Sequence, residues 1–494
     1  MQGDSVWSIR RSSEPKKRVV QKGRRERKCA DRVRRLYILV VRGHFVPNDL
    51  ALQKYLSREE FSSALKRGHG RAFLHVQNFG LAEVADLVLA ACLKNPAYDR
   101  QCESSRAPWL FSMFKGREEY PVFASAILSA FRQETDNNDI EHLCELTAQL
   151  AIHGDEIAAN ALRRRVLDQS FVLEGDQFGC NALVLLDGVD AVVELARRFG
   201  RSLLESSEER LPFPYHLAGE SGLRESADAV LEQLAVSDEA ISAFWNSEQS
   251  WEREFQTDKV PLRDEERRES SRRELPLEKI LADAAAGVGD TSFKYTRFGK
   301  YATVDELKVV WLRLINESDE KVCLRLLWVF RAAMLPELHP AIWKLAESDH
   351  DKLRAAAITA LAQCHDPSVG NFARAALRSA RSAKAVSDGM ETLVKHYRNE
   401  DALLVRSALS GISASDGEAH AIGFSIARMC RENESCDLLE ALIWDYENNP
   451  CTLCRCGTVS MMSERGVLAP AIISECLHDA DPDIRKLAQE AASS

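Results

Sequence analysis

Glycine and proline are scarce in this chain of 494 residues, at 24 and 15, where average usage gives about 35 and about 25. So few turn-makers point to helix, and they exclude collagen-like and proline-rich architectures. Long apolar runs are missing as well. The best stretch, Leu36 to Val41, is six residues long and sits between Arg35 and Arg42, against the roughly 20 residues needed to cross a bilayer and the about 7–15 of a secretory core. A cytoplasmic protein that does not enter membranes is expected. No Walker-type phosphate loop, dinucleotide-binding glycine fingerprint or HExxH motif occurs. Gly219-Glu-Ser221-Gly222 places its second glycine one residue too early for a nucleophile elbow. Cysteine is present, but the 13 residues are odd in number and scattered; reduced thiols fit better than a disulfide framework.

The net charge of −10 hides an asymmetry. Residues 1–35 hold 13 Lys/Arg against Asp4, Glu14, Glu26 and Asp31, a net of +9, which leaves 52 basic against 71 acidic residues, or −19, for the rest. The head reads as a basic, disordered arm able to meet nucleic acid, an acidic partner or the chain's own body. The acidic body disfavours a large phosphate-binding face, because polyanion affinity grows with the number of phosphates neutralised.

Apolar residues recur at helical spacing along most of the chain beyond this arm. Residues 36–255 form an N-terminal helical segment. Within it, Ser57 with Glu60 makes a capping box, and short helices are expected from Asn48 to Leu56 and from Ser57 to Leu65. Ile140, Leu143, Cys144, Leu146 and Leu150 line one helix, Gly154 ends it, and Asp155 caps the next. A further helix opens at Asp187-Gly188 and is expected to end at Gly200, with a loop over 206–220. Residues 256–300 read as a charged linker and then an irregular aromatic and basic loop. From Thr303, a capping box with Glu306, about twelve helices of 10–16 residues fill the segment 301–494. Asp319, Asp349, Asp366, Asp401, Asp416 and Asp481 mark their starts. No segment alternates at period two, so the fold class is all-α.

Two of these starts resemble HEAT repeats: Asp349-His-Asp-Lys-Leu-Arg354-Ala-Ala-Ala357 and Asp481-Pro-Asp-Ile-Arg485-Lys-Leu487-Ala488, each an acidic turn followed by an apolar residue, an arginine and small residues. Arg354 and Arg485 are 131 residues apart, room for about four units of about 33, shorter than the roughly 40–47 usual for HEAT. The resemblance is good over 300–494 and only suggestive over 70–250. It implies an α-solenoid of antiparallel helix pairs in two segments. It also implies a function: a non-enzymatic scaffold that binds a protein partner on a concave face, with acidic residues selecting a basic surface. A nucleic-acid-binding relative, using the arm and arginine-rich ridges, is the alternative.

Three groups of residues stand out as candidate sites. Cys451-Thr-Leu-Cys454 with the later Cys476-Leu-His478 has the composition of a zinc set of three thiolates and one imidazole. A helix starting after Pro450, turning at Gly466 and returning to about Leu477 would bring the two pairs together. The same cysteines also fit small buried packing positions, and a thiol at a helix N-terminus fits a redox pair. Phe293-Lys294-Tyr295-Thr-Arg297-Phe298-Gly-Lys300 interleaves aromatic and basic side chains, which can stack bases and contact phosphates or meet a protein. Arg163-Arg164-Arg165 forms a basic ridge if its helix stacks on that of Arg197-Arg198. His339, His350, His365, His396 and His420 lie mostly beside turns and read as capping or surface residues.

Overall fold

The computed structural model describes residues 55–134, 137–168, 178–205, 222–257, 264–287, 291–433 and 438–493. The basic arm, residues 48–54 of the first expected helix and the loop over 206–220 lie outside them. The described residues form 26 α-helices with no strand, and twelve of those helices fall between Val304 and Ala492. None of the described helices is long and apolar enough to cross a membrane.

Capping chemistry places several of the helix starts. Ser57 with Glu60 and Thr303 with Glu306 form reciprocal capping boxes. Asp155, Asp319, Asp366 and Asp481 each accept a backbone N–H from the first turn of the helix they open; such a bond stabilises a helix by about 1 kcal/mol. Elsewhere the neighbouring residue takes the role. His350, not Asp349, caps Asp351–Leu361, and Ser415, not Asp416, caps Asp416–Glu432.

Two expectations fail. The helix Val189–Glu205 runs through Gly200, which serves as a contact point and not as a stop. A Cβ there would lie 1.7 Å from the Ala240 carbonyl oxygen, so the absent side chain lets Glu239–Thr257 pack backbone to backbone. The aromatic and basic stretch is also no loop: Ser292–Tyr301 is a helix. Tyr295 and Phe298, three residues apart and both buried, share one face. Tyr295 meets Trp328 with ring centroids 5.8 Å apart, and Gly299 admits the Val329 carbonyl.

In the second half, every other helix stacks on its like. Ser292–Tyr301 packs on Glu320–Val329, and the stack continues through Asp351–Leu361, Ala383–Leu393, Asp416–Glu432, Thr452–Glu464 and Pro482–Ala492, each against the one before. Their first residues are 28 (292 to 320) to 36 (416 to 452) apart. Pro367–Ser379, Ala402–Leu409 and Leu439–Asn448 make a parallel series behind them. Buried apolar residues form three cores, one from Leu56 to Phe244 that also takes in Ala480, one from Ile280 to Val369 and one from Ala373 to Ala488.

Ala480 in the first core marks a seam where the beginning of the described chain meets its end. Gly70–Phe79 packs on Pro470–Cys476, the Ala480 N–H donates to the Gly68 carbonyl at 2.9 Å, and the Trp109 indole donates to the His478 carbonyl at 2.9 Å. Arg71 pairs with Glu475 at 2.7 Å and Glu447 at 2.8 Å. Arg455, wholly buried, reaches both Asp479 carboxylate oxygens from Nη2, at 2.8 and 2.9 Å, and donates from Nη1 to the Arg67 carbonyl at 2.6 Å. A cleft of about 440 Å³ opens beside the seam between Phe73, Trp109, His478 and Arg485.

The first core also contains a histidine that resists protonation. The His142 ring, 1% exposed, donates from Nε2 to the Ala91 carbonyl at 3.0 Å. Burial, opposed by that bond and Asp139 and aided by Arg106 and Arg100, pushes its pKa down to about 4. The unfolded chain therefore binds the proton more readily, so this contribution to stability is complete above pH 6.5 and is lost as pH falls towards 4. The loss amounts to roughly 3 kcal/mol. Nearby Glu145, raised to about 7 by burial, acts in the opposite sense. The His142→Gln variant isolates the histidine: its urea midpoint should fall less between pH 7.5 and 4.5 than that of the parent. Equal falls would refute this account.

Candidate functional site

A thiol–imidazole cluster lies where the helix Thr452–Glu464 meets Asp416–Glu432. Cys451 occupies the N-cap position, and its N–H donates to Asn449 Oδ1 at 3.0 Å. Asn449 Nδ2 in turn donates to Asp445 at 2.8 Å, and the Thr458 hydroxyl donates to the other Asp445 oxygen. Cys454, three residues on, lies on the same helix face as Cys451. Its Sγ is 3.3 Å from His420 Nε2, and ligand-capable atoms of His420, Cys451 and Cys454 all lie within 4.8 Å of one another. Gly423 makes the approach possible, since a Cβ there would lie 1.8 Å from Asp445 Oδ1.

The electrostatics separate the two thiols. The Cys451 thiol is held down at about 5 by its hydrogen bond with Cys454, helped by His420 and the Cys454 N–H against the cost of burial. Cys454 is pushed up by the same contact and by burial. Hydrogen bonding to Cys451 raises His420 above its ordinary value. Burial lifts Asp445, beneath them, to about 6, with Thr458 and Asn449 opposing. Cys451 is buried while Cys454 and His420 are half-buried, and the Tyr98 ring stands 5.2 Å from the His420 ring. A thiolate beside an imidazole can ligate a soft or borderline metal ion or act as a nucleophile or redox centre.

The sequence-based zinc set is therefore only half assembled. The helix does run to Glu464, Gly466 does turn, and Pro470–Cys476 does return. Cys476 and His478 nevertheless fall outside the cluster. Cys476 is buried with its Sγ 3.6 Å from the Tyr446 hydroxyl, and the His478 ring stacks on Phe73 at 5.5 Å. One helical residue turns the direction by about 100°. Arg455, the residue after Cys454, faces the returning segment and reaches Asp479, so Cys454 faces away from it towards His420. His420 is the residue that sequence reasoning misplaced. His339 and His350 do cap helices, but His420 does not.

The basic candidates are largely neutralised within the fold. Arg163 pairs with Asp187 at 2.6 Å, and Arg165 donates to the Glu134 carbonyl at 2.8 Å and to that of Phe131. Arg197 pairs with Glu194 and Asp238, and Arg198 donates to the Val166 carbonyl. Lys294 pairs with Asp283 at 2.7 Å and Arg297 with Glu274 at 2.8 Å. Phe298 is buried, whereas Arg164 and Lys300 are exposed, the latter over the Tyr301 ring. No family model matches the chain and no curated protein matches it significantly.

Proposed function

We propose that the protein is an α-solenoid of HEAT-like units and works as a non-enzymatic scaffold for a protein partner. The observation that carries this reading is a ladder of contacts one unit apart. Arg354 with Asp388, Arg406 with Glu440 and His420 with Cys454 are each 34 residues apart in sequence. Periodic contact between neighbouring units is what makes a solenoid quasi-one-dimensional. Arg354 and Arg485, the two arginines of the HEAT-like pattern, act alike: each donates to the carbonyl six residues before it, Ser348 at 3.1 Å and Asp479 at 2.6 Å. At the seam the N-terminal helices continue the stack where the C-terminal helices end.

A protein is favoured over nucleic acid because the arginine ridges are spent on internal carboxylates and carbonyls. The helix Val304–Ile315, by contrast, shows solvent an apolar stripe of Val304, Val309 and Leu312, and exposed apolar patches mark interaction surfaces. The test is affinity capture from native extract by the full chain and by a Val304→Asp/Val309→Asp/Leu312→Asp variant of unchanged circular dichroism. Retained proteins that the variant loses are expected. A salt-dependent shift of labelled DNA or RNA, with the same proteins captured by both forms, would overturn the reading.

A further inference from the structure

We propose that His420, Cys451 and Cys454 bind one zinc ion through three protein ligands, with water in the fourth position. The inference is independent of the scaffold reading and rests on geometry. Tetrahedral zinc takes Cys sulfur at about 2.3 Å and His nitrogen at about 2.0–2.1 Å, which sets ligand atoms roughly 3.5 Å apart. The Cys454 Sγ to His420 Nε2 distance of 3.3 Å already meets this, and the third ligand atom lies within 4.8 Å of both.

Two features distinguish this cluster from packing thiols. Cys92, Cys144, Cys180 and Cys430 are buried in apolar cores, whereas Cys451 and Cys454 share an imidazole. The ligands are also anchored from two directions. Cys451 is fixed at the helix start by its N–H bond to Asn449, and His420 is carried on a helix that Gly423 allows to sit against Asp445 and Asn449. A small displacement of Cys451 then closes the set without moving a helix. Cys476, the third thiolate of the sequence-based set, is engaged with Tyr446 and takes no part. With Cys451 buried and Cys454 and His420 half-buried, the three protein ligands leave the fourth position to water on the side of Tyr98, whose ring lies 5.2 Å from that of His420. Open sites of this kind activate water or take an incoming ligand, in contrast to the closed four-ligand sites that only hold a fold together.

The experiment uses the full chain, purified under reductant and without chelator, then equilibrated with zinc and dialysed. Elemental analysis should give about one zinc per chain, falling below about 0.2 in Cys454→Ser and in His420→Ala but kept in Cys476→Ala and His478→Ala. Circular dichroism checks that each variant is folded. Cobalt added to the unaltered chain gives a second readout that needs no variant: thiolate-to-metal absorption in the near ultraviolet with the intense visible bands of a tetrahedral ion. Zinc retained by Cys454→Ser, or lost equally from Cys476→Ala, would overturn the proposal. So would an unaltered chain holding less than about 0.2 zinc, or a pale octahedral cobalt spectrum.

Discussion

Replacing Arg455 by Met should destabilise the protein by about 3–5 kcal/mol, the usual result of stranding one member of a buried ion pair. Arg455 is 0% exposed, as is Asp479, so water cannot take over the lost bonds. The substitution leaves the Asp479 carboxylate opposite a methyl group and removes the donor held by the Arg67 carbonyl. Burial already pushes Asp479 up to about 6 against the pull of Arg455. Without the guanidinium it rises further, so the cost should be largest near pH 8 and shrink towards pH 5, where the acid is neutral. Asp479→Asn added to Arg455→Met should recover part of the loss, because Asn keeps an acceptor for the Asp481 N–H and carries no charge. Amide exchange at Ala480, whose N–H bonds across the seam to Gly68, should quicken in the single variant and slow again in the double. Urea midpoints at the two pH values, with exchange at that one amide, check each step. A pH-independent cost, or no recovery in the double variant, would count against a charged pair.

The boundary between legible and hidden features of this chain is a physical one. Helix starts depend on a side chain and the next three backbone amides, so Ser57 with Glu60, Thr303 with Glu306, Asp366 and Asp481 could be placed by inspection. The stop at Gly154 is of the same kind, with a left-handed φ of 99° that favours glycine. Gly200 looks identical in sequence, yet its role depends on Ala240, forty residues on. The aromatic stretch 292–301 hid its helix because its apolar residues are few and mixed with lysine and arginine; burial of Tyr295 and Phe298 on Trp328 and its helix decides the matter. The candidate site failed in the same way. Cys451 and Cys454 were legible as a pair, but their histidine comes from a different helix, Asp416–Glu432. The histidine lies 34 residues before Cys454, and helix starts 28 to 36 residues apart vary too much for counting back along the sequence to have picked it out. The seam has no local signal at all, since Arg67, Gly68 and Gly70 become special only when Glu475 and Asp479 arrive.

Gly200 and Gly457 should respond to the same substitution with opposite signs. Both lie inside helices, where alanine is favoured over glycine by about 1 kcal/mol through backbone entropy. At Gly457, within Thr452–Glu464, an added Cβ meets nothing within 4 Å, so Gly457→Ala should stabilise by roughly 0.5–1 kcal/mol. At Gly200 the same methyl would stand 1.7 Å from the Ala240 carbonyl oxygen and 2.4 Å from its carbon. No side chain can swing aside there, so Val189–Glu205 and Glu239–Thr257 must separate. Their separation loosens the packing of Leu195, Phe199, Ile241 and Phe244, all buried in the first core. The net effect of Gly200→Ala should be a loss of about 1–3 kcal/mol, and Gly200→Val should cost more still. Because the strain is confined to the N-terminal core, the variant should lose its near-ultraviolet signal from Trp245 before that from Trp311, which sits in the second core. Thermal unfolding followed by fluorescence of chains keeping only one of these tryptophans separates the two. A Gly200→Ala protein as stable as the parent would mean that the two helices do not approach as closely as described.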